Sequence, residues 1–144
     1  MHAFALMVAP VLAGAAMGQI TFEPLGDLAG GGEYSEVWGV SSDGSVTVGA
    51  SVVGGGGLSP VLDGFWWTSD TGMLPVFGST NGPSVHAHGA SEGGRVIVGV
   101  ADYGAFNPLG SQAFIWTAGS APVLIGDLPG GSGGSSTLAF VAVA

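Results

Sequence analysis

The chain has 144 residues, of which 8% are charged, 47% are hydrophobic and 29 are glycines. That length fits one domain or a piece of one, and glycine at this density without a strict triplet period excludes collagen. Ten acidic residues stand against one base, Arg95, for a formal charge of −9. The chain therefore has no cationic surface for nucleic-acid phosphates and is ill suited to anionic membranes. With no cysteine, it has no disulfide framework and no thiolate chemistry.

Residues 1–18 are apolar and carry no Asp, Glu, Lys or Arg. Small residues at Ala16 and Gly18 sit where a signal peptidase reads, so this stretch predicts a secretory signal peptide cut after Gly18. His2 stands where Lys or Arg is usual, so either the true start lies upstream or the signal is a poor one. Interrupted by Pro10, the stretch is a marginal membrane span. Residues 19–144 then form a mature β-repeat region, expected to be secreted or on the cell surface and to hold no membrane span.

Repetition dominates this region. Residues 39–49, GVSSDGSVTVG, return as GASEGGRVIVG at 89–99, an offset of 99 − 49 = 50. Six of the eleven positions match: Gly39/Gly89, Ser41/Ser91, Gly44/Gly94, Val46/Val96, Val48/Val98 and Gly49/Gly99. LGDLAGG at 25–31 returns as IGDLPGG at 125–131, with Gly26, Gly78 and Gly126 as successive markers. FWWT at 65–68 returns as FIWT at 114–117, an offset of 116 − 67 = 49. Three independent markers thus agree on a period near 50 residues.

Within the first repeat, period-2 alternation and turn residues predict strands near 37–41, 45–52, 64–68 and 73–77. An Asp43-Gly44 turn, whose two residues both tolerate positive φ, joins the first two, and the glycine-rich stretch 54–63 is expected to be a long loop. The second repeat follows the plan at 85–91, 95–101, 113–117 and 122–125, with Gly93-Gly94 in the turn. Trp67 and Trp116 recur at equivalent positions and read as core, each able to bury roughly 150–250 Å². Trp38 and Trp66 are left as candidate ligand-stacking residues. A third repeat begins at Ile125, and Ala144 corresponds to the turn glycine Gly44, which reads as a fragment of a longer array. Residues 138–144 form an apolar strand-like run without a partner, an invitation to pair with another chain.

The predicted fold is all-β: tandem four-stranded antiparallel repeats of about 50 residues, each resembling a propeller blade, in an incomplete set. A small β-sandwich is the alternative. The chemistry-bearing patterns read as structural. Gly89-Ala90-Ser91-Glu92-Gly93 fits the G-x-S-x-G pattern, but a nucleophile elbow requires a helix after the serine and here a strand follows. His86 and His88, two apart on a strand, share a face and would supply two metal ligands, with Glu92 or Asp102 needed to complete a site. The acids Glu33, Glu36, Asp43, Asp63, Asp70 and Asp102 are scattered and form no calcium loop. The glycine-rich loops lack the lysine of a phosphate cradle. No catalytic, cofactor-binding or metal-ligating residue is expected, and no cofactor.

The hairpin with Ser-x-Asp-Gly and Val-x-Val-Gly, then Gln112-Ala113-Phe114-Ile115-Trp116, then Leu-Gly-Asp-Leu-x-Gly-Gly, resembles the bacterial extracellular HAF-repeat family, with Gln112 in the His place. Gly64-Phe65-Trp66-Trp67 matches more loosely. The resemblance covers Ile20 to the end and implies an exported β-repeat protein with no catalytic residues to carry over. The expected function is a non-enzymatic structural, adhesive or surface interaction module. Its expected partners are other repeats or other copies of itself through open sheet edges, or an extracellular glycan or protein. The alternatives are a carbohydrate-binding module using an exposed Trp38 or Trp66, and a fragment of a secreted hydrolase.

Overall fold

A computed structural model of the chain describes residues 22–56, 59–104, 107 and 109–126. The signal-peptide reading of residues 1–18 and the partnerless strand at 138–144 lie outside the described residues. The described residues form an all-β structure of two four-stranded antiparallel sheets, neither closed on itself. Sheet one runs β1 (Ser35–Val40), β2 (Thr47–Gly56), β3 (Ser59–Thr68), β4 (Gly72–Pro75). Sheet two runs β5 (Ser84–Ala90), β6 (Val96–Asp102), β7 (Ser111–Thr117), β8 (Val123–Leu124). In both, strands that follow one another in sequence pair in space, as in a propeller blade. Among the described residues no helix is long and apolar enough to cross a membrane.

The period is visible in the registers. Gly49 pairs with Phe65, and Gly99 pairs with Phe114. A Cβ on Gly49 would collide with the Glu36 carbonyl oxygen and approach the Phe65 ring to 2.8 Å. A Cβ on Gly99 would collide with the His86 carbonyl oxygen and approach the Phe114 ring to 2.8 Å. Each glycine is thus the floor on which a fully buried phenylalanine lies. The marker glycines Gly26, Gly78 and Gly126 all take positive φ, at 80°, 69° and 76°, a conformation that L side chains rarely adopt.

One sequence expectation requires correction. The stretch 54–63 is mostly strand rather than loop: Gly54, Gly55 and Gly56 pair with Val61, Pro60 and Ser59. A register shift between Val52 and Gly54 makes Val53 the extra residue, and Val53 joins the cluster of Leu28 and Phe65. Glycine density suggested a loop, yet the backbone alone can pair. The turn expected at Asp43-Gly44 is present, and no non-glycine residue among those described takes positive φ, Asp43 included. Of the two, only Gly44 does, at 72°. The hairpin closes between Ser41 and Val46, whose N–H···O bond measures 2.8 Å.

The two sheets stack face to face through unlike faces. Val46 and Val48 of sheet one meet Val85, Ala87, Ile97, Ala101, Phe114 and Trp116 of sheet two in one buried cluster. The residues equivalent to Val46 and Val48 by the 50-residue offset are Val96 and Val98, which are not in that cluster. This is the packing of successive blades, in which the front of one unit covers the back of the next. Glycines let the backbones approach: a Cβ on Gly64 would stand 3.0 Å from Val85 Cγ1 and 3.3 Å from the Ala87 Cβ, and one on Gly39 would lie 2.5 Å from the His88 carbonyl oxygen. A second, smaller cluster of Leu28, Val53 and Phe65, with Trp67 and Met73 against it, sits on the opposite face of sheet one.

Candidate functional site

Three aromatic rings gather where the first strands of the two sheets meet. β1 shifts register between Val37 and Gly39, and β5 between Ala87 and Gly89, so Trp38 and His88 are the extra residues of two equivalent bulges. Bulges re-aim a side chain that a regular strand would send to one fixed face. The Trp38 ring meets His88 edge-on at 4.9 Å and His86 at 5.9 Å between centroids. The two imidazoles lie 6.3 Å apart at an interplanar angle of 31°. Trp38 is 48% exposed. Both histidines are half-buried. Burial holds the His88 pKa below the ordinary imidazole value, and the nearby His86 charge adds to the effect.

Trp66, the other candidate stacking residue, lies elsewhere. It is half-buried on β3, packed against the inter-sheet cluster and tilted at 36° against Trp116 with centroids 5.9 Å apart. No ring contact joins Trp38 and Trp66 among the described residues. Trp116 is buried in the inter-sheet cluster and its counterpart Trp67 is half-buried against the Phe65 cluster, which places both in cores as expected. Among the described residues, no group of three or more His, Cys, Asp or Glu side chains could hold a metal ion. Asp102, a candidate third ligand to the histidines, accepts a hydrogen bond from the Gly104 N–H at 2.9 Å within its own turn.

The serines of the repeated hairpin are structural. Ser41 Oγ accepts the Val46 N–H at 2.9 Å, and Ser91 Oγ accepts the Val96 N–H at the same distance. Both are buried, and each staples its turn from inside. In the first copy Ser41 Oγ also donates to Asp43 Oδ1 at 2.6 Å, and Ser45 Oγ donates to Asp43 Oδ2 at 2.7 Å. These bonds, that from Ser41 first, lower the Asp43 pKa to about 2. Ser91 is thus held as a hairpin staple ahead of β6.

Sequence reasoning counted Asp63 among the scattered acids and missed its role. It is 1% exposed on β3. Its Oδ1 accepts the Phe77 N–H at 3.1 Å, and its Oδ2 accepts the Gly78 and Ser79 N–H groups at 2.6 and 3.3 Å. The carboxylate clamps the segment that carries the chain from one sheet to the other. Burial raises its pKa above the ordinary carboxyl value, against the pull of these donors. Asp63 also borders a cavity of about 230 Å³ lined by Leu28, Val53, Met73 and Thr80 among others. The available signal was an acid inside an apolar run, Leu62-Asp63-Gly64-Phe65, where charge is tolerated only with partners.

Comparison of the chain with protein-family models, with curated proteins and with solved structures found no match in any of the three.

Proposed function

We propose that the chain is an exported, non-enzymatic β-repeat protein of the HAF-like kind, acting as a structural or adhesive surface module. The observation that carries this reading is the use made of the polar groups in the repeat. Ser41, Ser91, Asp43 and Asp63 are all engaged in closing turns and holding the two sheets in line. The apolar leader at residues 1–18, with small residues at Ala16 and Gly18, supports export. N-terminal sequencing of material recovered outside the cell tests it: the sequence should begin at Gln19, and material retained in the cytosol with Met1 intact would refute it.

A second reading, binding of an extracellular glycan, is favoured by one observation. Trp38 is half exposed, with the His86 and His88 rings at 5.9 and 4.9 Å from its own, and an aromatic ring beside polar donors suits a sugar ring with its apolar face and hydroxyl rim. A glycan array with the intact chain and with Trp38→Ala separates the readings. Binding that disappears in the variant supports the glycan module, and an array blank for both leaves the structural module.

A further inference from the structure

The link between the two sheets is anchored on both sides and unbonded in between. Asp63 accepts the N–H groups of Phe77, Gly78 and Ser79. Thr80 lies so near β2 that a Cβ on Gly54 would stand 2.7 Å from its carbonyl oxygen. On the far side, Ser84 Oγ accepts the Leu62 N–H at 3.5 Å as β5 begins. Between these anchors runs Asn81-Gly82-Pro83. Asn81 is exposed, and the three residues border a cavity of about 330 Å³ that Tyr103 and Asn107 also line. Among the described residues, neither the Asn81 side-chain amide nor the Gly82 N–H makes a hydrogen bond. Comparable pairs elsewhere are held. The Gly44 N–H donates to the Ser41 carbonyl at 2.9 Å, and the Asp43 oxygens accept from Ser41 and Ser45. Asp63, which precedes Gly64, is 1% exposed with both oxygens engaged. Asn107, the only other asparagine, precedes Pro108, which has no N–H to give up.

We propose that Asn81 is a self-modifying site, which converts without an enzyme to a mixture of aspartate and isoaspartate. The Gly82 amide nitrogen gives its proton to a solvent base and attacks Asn81 Cγ. The new C–N bond closes a cyclic succinimide, and the side-chain nitrogen takes up a proton and leaves as ammonia. Water then opens the ring. Breaking the new bond at Cγ leaves aspartate. Breaking the original peptide bond leaves isoaspartate, with the main chain rerouted through the side chain. The net change is amide plus water to acid plus ammonia, with nothing oxidised or reduced. Glycine hinders the attack least, because no Cβ stands beside its nitrogen and its backbone is the freest to adopt the ring geometry. Each conversion adds a negative charge to a chain already at −9. The isoaspartate form also lengthens the main chain between the Asp63 clamp and β5. The site is independent of export and of glycan binding.

The purified full chain, incubated at neutral and mildly alkaline pH and digested with chymotrypsin, should show acid in place of amide at position 81 by mass spectrometry. Fragmentation should identify isoaspartate within the product, and the yield should rise with pH. The rate should lie close to that of a free peptide spanning residues 79–84, because no local opening has to come first. Gly82→Ala should slow the conversion sharply. Its Cβ would stand 2.6 Å from Ser79 Oγ, the end of a side chain that can turn away. Asn81→Gln repeats the test should the alanine disturb folding: it keeps an amide but needs a larger ring, and it should stay unconverted. An amide that survives in the folded chain while the free peptide converts overturns the proposal, as does a folded-chain rate more than about tenfold below the peptide's. Conversion that Gly82→Ala leaves unchanged overturns it too, since that would mean direct hydrolysis rather than attack by the neighbouring nitrogen.

Discussion

Gly49 and Gly99 illustrate how single residues are dictated here. Each carries no side chain because the ring of a buried phenylalanine and a carbonyl of the neighbouring strand already fill that space. Gly49→Ala or Gly99→Ala should destabilise the fold by about 1–3 kcal/mol, the range for overpacking a tight core. Gly32→Ala, where a Cβ would meet nothing within 4 Å, should be near neutral; urea denaturation of the three variants checks the contrast. Asp43 allows a test by titration. Its carboxyl lies below the ordinary value of 3.8, at about 2. A lowered carboxyl pKa adds stability that is fully present above pH 3.8 and is lost as the pH falls toward 2. The Asp43 side-chain carbon signal should therefore titrate near pH 2, and Ser41→Ala should move the midpoint upward. A midpoint that does not respond to Ser41→Ala would show that the hydroxyl is not the cause.

At the scale of elements, the repeat was legible and its irregularities were not. Alternating valines and recurring turn residues placed all eight strands, because burial of one face imposes period 2 whatever the tertiary context. The bulges at Trp38, Val53 and His88 left no such mark, since one extra residue changes the face without changing composition. That is why the glycine-rich arm of β2 read as a loop and why His86 and His88 were assigned to one regular strand face. The indole at Trp38 was found as a candidate, but its imidazole neighbours come from a strand that only stacking brings near. Asp63 belongs to this scale as well, since it joins β3 to the segment leading into β5. Asp63→Ala would leave three N–H groups around a vacated carboxylate site and should cost about 2–4 kcal/mol, given roughly 1–3 kcal/mol for each unsatisfied buried group and partial rescue by water. Its pH dependence has the opposite sign from that of Asp43. A raised carboxyl pKa favours the fold most when the group is protonated, and that advantage is lost as the pH rises through the folded-state value. Equilibrium unfolding of wild type and Asp63→Asn at several mildly acidic pH values should show this difference, and parallel curves would remove Asp63 from the account.

For the molecule as a whole, the consequence of pairing only neighbouring strands lies in the order of events during folding. Every ladder in both sheets joins strands adjacent in sequence, so each sheet can assemble by closing short loops, at small entropic cost. The stacking of β5 on sheet one requires both sheets to be largely formed, and it is the late event. Refolding rates should therefore fall when a hairpin staple is removed, as in Ser91→Ala. A substitution in the stacked interface, Gly64→Ala, should leave the refolding rate nearly unchanged and accelerate unfolding instead. Stopped-flow measurements on the two variants decide the matter, and the reverse assignment would mean that contact between the sheets organises the hairpins. If the order holds, a nascent chain can complete its first sheet before the second has been synthesised, and the time during which an uncovered apolar face waits for its neighbour is set by the rate of translation rather than by the rate of folding.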